Sequence, residues 1–475
     1  MPRITTIPLC VIATLLVAGC TVGPNYRTPS VDMPLEWAGP TTQPALASAT
    51  TQPTSAPSAA TTQPANLSRW WTTFEDLQLD SLIERAVESN LDLRQAQARL
   101  RQARAARGVA ASVLYPRVDA NGSYDRIGSS GDANSRDLYQ VGLDASWEID
   151  VFGGNRRGVE AAEADITSAL EDARDVLISV TAEVALNYVD LRGFQRQIEI
   201  AQRNLAAQER TLEITRQLRR AEFIGSLDVA QAEVQVATTR SQIPSLEAAE
   251  RQTIYALSVL LGQTPGALLE ELSPTKGYPG TPPEVPVGLP SDLLLRRPDV
   301  RRVAADLHAA TARLGVAVAD LYPRFSLTGS LGIAGSKPSA LTNAANRFWS
   351  IGPSISWPVF TAGQVRSNIV VQRAAAEQVL IAYKATVLTA LQDVENALIA
   401  YDREQARRAT LVEAVTANRR AVDLANTLYQ QGETDFLNVL TAQRSLLQAE
   451  DALEQSDRTV TQNLIALYKA LGGGW

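Results

Sequence analysis

The chain has 475 residues, with 44 basic and 51 acidic side chains, one histidine and two cysteines, for a net charge of −7. Its length allows two or three domains, and nothing in its charge pattern suggests a nucleic-acid partner. With so few thiol and imidazole groups, a cysteine-ligated metal, a disulfide framework or a thiol nucleophile is not expected.

The chain opens with Arg3, an apolar run from Ile7 to Ala18, and then Leu16-Val17-Ala18-Gly19-Cys20. A charged start, a short apolar stretch and small residues before a cut describe a signal peptide, and the run is too short to span a bilayer comfortably. The ending resembles a bacterial lipobox, which implies lipidation of Cys20 as the first mature residue. Cys10 would leave with residues 1–19, so the mature chain would keep no free thiol. Residues 20–68 then form a lipidated segment and tether. From Thr41 to Ala65 the chain holds no charge and one large apolar residue, Leu46, and repeats Thr-Thr-Gln-Pro three times. Such a stretch cannot bury enough apolar surface to offset the entropy of ordering.

The remainder reads as two copies of one unit, residues 69–272 and 289–475, joined by a Pro- and Gly-rich connector at 273–288. Leu114-Tyr115-Pro116-Arg117 recurs as Leu321-Tyr322-Pro323-Arg324, and Ser146-Trp147 recurs as Ser356-Trp357. Leu227-Asp228-Val229 answers Leu437-Asn438-Val439. Each copy reads helix, strand, strand, long helix, turn, helix.

Tyr139 to Asp150, Phe325 to Ile333 and Trp349 to Trp357 alternate apolar with small or acidic residues, and Val118 to Tyr124 does so more weakly. Period-two alternation gives one apolar and one polar face, at the length of a tilted membrane strand. A soluble sheet with one wet face has the same pattern. Four strands cannot close a barrel, and an open edge cannot stand in lipid, so a membrane location requires strands from other copies. Asp144, Glu148 and Asp150 fall on the polar face and are candidates to line a lumen.

Arg156 to about Ala221 runs without proline. Val180, Val184, Leu191, Phe194, Ile198, Ala201, Leu205 and Leu212 follow a coiled-coil spacing, as do Leu411, Val415, Val422, Ala425 and Tyr429 in the second copy. A helix of about 65 residues spans roughly 100 Å. Each ends near a turn (Glu222–Gly225 and Gly432–Thr434) and is followed by a return helix. His308, alone in a helical stretch, reads as a surface or packing residue.

These residues resemble the TolC family of outer-membrane channels, in particular the lipoprotein branch serving RND-type tripartite efflux pumps. The likeness rests on Cys20-Thr21-Val22-Gly23-Pro24-Asn25-Tyr26, on Trp70-Trp71 with Phe74 and Asp76, and on Leu289-Pro290-Ser291-Asp292-Leu293-Leu294 with Arg296-Arg297-Pro298-Asp299. The two Leu-Tyr-Pro-Arg copies and the ending Leu471-Gly472-Gly473-Gly474-Trp475 complete it. The resemblance implies a mainly α fold with a membrane β-barrel. A homotrimer would give four strands per chain to a twelve-stranded barrel, above a coiled-coil α-barrel in the periplasm. It implies an outer-membrane location, an adaptor and an inner-membrane RND transporter as partners, no cofactor and no enzymatic chemistry. A duct for type I protein secretion is the alternative, and a structural coiled-coil spacer is a third reading.

Carried over position by position, Tyr429 and Asp228 would form a hydrogen-bonded link that holds the gate. Asn438 and Thr441 stand where the family has ring aspartates, and Thr434 where some members have an arginine, which implies a weaker acidic constriction. Glu222 replaces a tip glycine that Gly432 keeps. Glu222, Gly225, Leu227, Gly432 and Leu437 are the candidate adaptor-contact residues.

Overall fold

The computed structural model describes residues 21–35, 37–38, 67–128, 135–279 and 296–475. Cys20, the tether, the later part of the connector and Leu289-Pro290-Ser291-Asp292-Leu293-Leu294 lie outside the described residues. After a 3-10 turn at Leu67–Phe74, the first copy runs α1 (Leu77–Ser89), α2 (Leu91–Ser112), β1 (Arg117–Ile127), β2 (Arg136–Ile149), α3 (Gly154–Arg220) and α4 (Ser226–Leu260). A single turn, α5 (Leu269–Leu272), follows. The second copy runs α6 (Pro298–Ala319), β3 (Arg324–Gly335), β4 (Arg347–Ser356), α7 (Gln364–Gln430) and α8 (Phe436–Ala470). From α2 to α4 and from α6 to α8 the two copies carry the same helices and strands in the same order. α2 and α6 have 22 residues each, α3 and α7 have 67, and α4 and α8 have 35.

The chain divides into two compact units, each assembled from three stretches rather than from one copy. The first comprises Met1–Val31, Gln97–Glu171 and Asp299–Thr386, and it holds all four strands. They form one antiparallel meander in the order β1-β2-β3-β4. The segment after Cys20 is bound in this unit. Val22 N donates to the Phe152 carbonyl at 3.1 Å, and Arg157 Nη2 donates to Asn25 Oδ1 at 2.6 Å. Glycine is required where these backbones meet: a Cβ on Gly23 would lie 2.7 Å from Gly315 Cα. Tyr26 stacks on His308 with ring centroids 4.6 Å apart, and His308 Nε2 lies 3.0 Å from Glu160. His308 is thus a packing residue.

The second unit comprises Asp32–Ala96, Asp172–Pro298 and Val387–Trp475. Its core gathers Trp70, Phe74, Leu82, Tyr188, Leu191, Leu257, Leu464 and Tyr468. Burying each large side chain contributes about 1.5–3 kcal/mol. Trp70 stacks on Tyr468 with centroids at 5.3 Å. Asp76 caps α1 by accepting from Gln78 N and Leu79 N, and its other oxygen accepts from the Tyr188 hydroxyl at 2.7 Å. The Gly-Gly-Gly-Trp ending seals this core. Gly474 N donates to the Leu67 carbonyl at 2.9 Å, Trp475 Nε1 donates to the Arg296 carbonyl at 3.0 Å, and the Arg174 guanidinium lies 4.1 Å above the Trp475 ring. Of the coiled-coil positions, Val180, Val184, Leu191, Ala201, Leu212, Val415 and Tyr429 are buried.

The start of the connector is strapped to these helices. The buried Arg192 donates to the carbonyl of Pro274 at 3.0 Å and to Gln78 Oε1 at 2.7 Å, and Gln195 Nε2 donates to the Leu272 carbonyl at 2.8 Å. The Tyr278 hydroxyl donates to the buried carboxyl of Glu454. Gly193 makes room for this strap, since a Cβ there would lie 2.8 Å from Arg458 Cδ and 3.0 Å from the Tyr278 hydroxyl.

Burial raises the Glu454 pKa from 4.5 to about 7; the Tyr278 hydrogen bond opposes the shift, Asp457 adds to it, and Arg196 and Arg458 oppose it. Above its unfolded pKa the unfolded chain releases this proton while the folded chain still holds it. Stability from Glu454 is therefore full below pH 4.5 and is lost as pH rises toward 7. The thermal midpoint of the protein should fall across that window, and Glu454→Gln should flatten the fall. Parallel melting curves against pH for the two proteins check this.

Candidate functional site

Two features stand out as sites: the faces of the sheet and the two helix tips. In the sheet, the observed register carries each polar residue across all four strands. Asp119 lies opposite Asp144, Asp144 opposite Ser330, and Ser330 opposite Ser350. The next polar row runs Arg117, Ser146, Thr328, Gly352. Hydroxyls on this face bond across strands, Ser326 to Ser354 at 2.7 Å and Ser330 to Ser350 at 2.8 Å. The opposite face carries Val118, Val141, Leu143, Leu331, Trp349, Ile351 and Ile355, all exposed in the single chain, Trp349 at 75% and Ile351 at 68%. An apolar patch of that extent needs an apolar surrounding.

Among the expected lumen residues, Asp144 accepts a hydrogen bond from the Asn121 amide, and Glu148 sits opposite Ser326 on the polar face. Asp150 does not join them. β2 ends at Ile149, and the Asp150 side chain, 12% exposed, accepts from Arg156 N at 2.8 Å and pairs with the Arg156 guanidinium at 3.3 Å. Its carboxylate is held at the start of α3, where the helix dipole favours an anion. The polar face gains a residue that alternation could have revealed: Asp119, on the weaker strand, paired with Arg117 at 2.8 Å.

Each tip is a Schellman closure. In the first, Phe223 N donates to Leu218 O and Glu222 N to Arg219 O, both at 3.0 Å. In the second, Glu433 N donates to Leu428 O at 2.9 Å and Gly432 N to Tyr429 O at 3.1 Å. The residue in the left-handed region is Glu222 in one (φ +64°) and Gly432 in the other (φ +76°). Gly225 precedes α4 as its N-cap. Leu227, Leu437 and Phe223 are exposed around these turns. Phe223 was not singled out from the sequence, although an aromatic residue beside a predicted turn is a usable signal.

Beneath the tips, a small core holds Leu212, Ala232, Val236, Tyr429, Phe436, Val439 and Leu440. The expected Tyr429–Asp228 hydrogen bond is not formed. The Tyr429 hydroxyl is buried and makes no hydrogen bond, its ring packing 5.4 Å from that of Phe436. Burial raises its pKa, with Thr215 opposing and the charge of Asp228 adding to the shift. Asp228 therefore acts on Tyr429 as a charge at a distance. Asn438 and Thr434 bond instead to each other, Nδ2 to Oγ1 at 2.7 Å, and the Thr441 hydroxyl donates back to the Leu437 carbonyl at 2.8 Å. The seam above is polar as well: Gln443 donates to Thr211 at 3.0 Å and Arg444 to Gln235 at 2.8 Å.

A left-handed conformation costs a residue with a Cβ about 1–2 kcal/mol, against the roughly 0.5–1 kcal/mol of extra chain entropy that a glycine loses. Glu222→Gly should therefore stabilise the first tip slightly, slowing amide exchange at Phe223 by about twofold, a difference of roughly 0.5 kcal/mol. Gly432→Ala should quicken exchange at Glu433. Hydrogen exchange of the full chain reads both.

The profile of the family described as "Outer membrane efflux protein" matches residues 82–263 and 289–473. The chain is 30% identical over 466 residues to "Nodulation protein T" of Rhizobium leguminosarum bv. trifolii, covering 97% of this chain and 96% of that protein. It is 32% identical over 422 residues to "Pyoverdine export outer membrane protein OpmQ" of Pseudomonas aeruginosa, covering 86% and 88% respectively. Its fold is similar to the solved structure of the outer-membrane channel OprN, with a TM-score of 0.86 at 37% identity, covering 96% of this chain and 100% of that one. With two strand hairpins, two 67-residue helices and matches across both copies, the chain belongs to the outer membrane efflux protein family and is an outer-membrane efflux channel protein.

Proposed function

We propose that three copies of this chain form the exit channel of a tripartite pump, which passively conducts small molecules delivered by an inner-membrane RND transporter and a periplasmic adaptor. The observation that carries this reading is the four-stranded sheet with one exposed apolar face and two edge strands, β1 and β4. Unpaired backbone groups in hydrocarbon cost several kcal/mol each, so the edges require partners there. Three copies would supply twelve strands and close the barrel.

In this reading residues 69–272 and 289–475 are a pair of repeats around one channel. Cys20 is the proposed lipidation site. The binding of Val22 and Asn25 beside Phe152, just past the end of β2, supports a lipid at the neighbouring membrane surface. Asp144 and Glu148, with Asp119, are the proposed lumen carboxylates. Asp228, Tyr429, Asn438 and Thr441 are the proposed gate residues, with a seam of neutral amides and hydroxyls in place of acidic rings. Glu222, Gly225, Leu227, Gly432 and Leu437, together with Phe223, are the proposed adaptor contacts. Opening requires the partners to bind the open packing better than the closed one. Relatives are named for pyoverdine export, toluene efflux and cation efflux. That spread fits a polar conduit whose cargo the pump selects.

The native mass of the detergent-extracted outer-membrane protein tests this reading. Three chains' mass is expected, and one chain's mass would overturn it. In planar bilayers Asp144→Asn with Glu148→Gln should reduce cation preference, while an unchanged preference would remove these carboxylates from the lumen.

A further inference from the structure

The apolar face of the sheet differs between its two ends. At the end that leads into the helices it finishes on Val118, Ile149, Phe325 and Ile355, with no cation among the described strand residues there. At the far end it finishes on Arg126 in β1 and Arg347 in β4, both exposed. Each stands one pleat beyond an aromatic ring, Arg126 after Tyr124 and Arg347 before Trp349. Tyr124 tilts against Tyr139 of β2 with ring centroids 4.7 Å apart. Lys337, exposed and in extended backbone just past β3, follows Gly335 at the same parity. The carboxylate at this end of the face, Asp137, accepts from the Tyr124 hydroxyl at 3.1 Å and lies 3.9 Å from Arg126. Three cations against one carboxylate leave two positive charges.

The register sets these cations at one depth. Arg117, at the start of β1, is level through Ser146 with Thr328, whereas Ser356, at the end of β4, is level with Arg324, four residues away. At the far end Arg126 is level through Asp137 with Lys337, once the pairing of Tyr139 with Gly335 is extended by two residues. Arg347 is level with Ile333, again four residues away and in the same direction. An equal stagger at both ends is the outline of tilted strands that cross a layer of fixed thickness.

We propose that Arg126 and Arg347, with Lys337, hold the phosphate groups of lipid in the outer leaflet, the leaflet away from the helices. This rests on the shared-barrel reading, which puts the apolar face in lipid. Aromatic rings on a lipid-facing surface mark the depth where hydrocarbon gives way to headgroups. A side chain one pleat further out reaches the phosphates there. A guanidinium offers a planar fork of donors that fits a phosphate with two hydrogen bonds. The exposed Trp349 and Ile351 continue inward from Arg347 on the same face and would cover the acyl chains of the lipid so held. That continuity favours a lipid over a soluble anion. The bare helix-side end of the face makes the recognition specific to one leaflet.

The test uses the full chain, extracted from outer membranes and placed in phosphatidylcholine nanodiscs that contain bisphosphorylated lipid A or its phosphate-free form. Native mass spectrometry counts the lipid A that each assembly retains. The unaltered protein should retain the phosphorylated form about fivefold or more over the phosphate-free form. Arg126→Gln with Arg347→Gln should remove most of that preference. Arg117→Gln with Arg324→Gln, which takes the same charge from the polar face, should leave it unchanged. Equal retention of the two lipids by the unaltered protein overturns the site, as does an undiminished preference in the first variant or an equal loss in the second. If the first variant does not assemble, Asp137→Asn decides: without the competing carboxylate the preference should rise, and no rise overturns the site. A three-chain native mass with no phosphate preference overturns the lipid site and leaves the shared barrel standing. A one-chain native mass of the unaltered protein overturns both.

Discussion

Backbone N–H and C=O groups must be paired wherever water is absent, and that constraint organises this protein. The four-stranded sheet satisfies it on the inside and leaves it unmet along β1 and β4. Its apolar face makes the demand sharper: Trp349, Ile351 and Ile355 gain nothing from water, yet the same sheet in lipid would expose two open edges. Both demands are met at once only if strands come from neighbouring copies.

The helical parts solve a different problem. Long helices are held by repeated small contacts along a seam. In the second unit a dense aromatic core around Trp70, Tyr188 and Tyr468 fixes the helices firmly, and Asp76 and Arg192 tie the turn residues and the connector to it. Toward the tips the seam changes character. Gln208, Thr215, Gln235, Thr239 and Gln443 are buried, and the hydroxyl of Tyr429 is left without a partner. Polar groups in a seam make alternative packings closer in energy than an apolar jigsaw does. In the proposed gate, such closely spaced packings would favour opening.

Much of the fold was legible from the residues. Period-two alternation located β2, β3 and β4, and the matching of Leu-Tyr-Pro-Arg and Ser-Trp segments located the duplication. The weaker strand was legible too, and its parity puts Asp119 on one face with Arg117 and Asn121; the pairing of Asp119 with Asp144 comes from the register. Two site expectations failed for physical reasons. Asp150 was counted with the strand, but the strand stops one residue earlier and the start of α3 captures the carboxylate. Tyr429 was expected to bond Asp228, but its ring packs into the apolar core beside Phe436 and its hydroxyl is buried there without that bond.

The sequence by itself determined the elements, their order, the two-faced character of the sheet and the repetition of one unit, because these depend on local periodicity and on residues near one another in the chain. Only the tertiary structure decided which side chains from distant segments meet. It set the register that aligns Asp119 with Asp144, the strap from Tyr278 to Glu454, the seating of Thr21 to Tyr26 beside α3 and α6, and the bond from Gln443 to Thr211 in the seam. Those pairings depend on packing volume and on the competition among buried polar groups for partners, and neither is written in the spacing of residues along one strand or one helix.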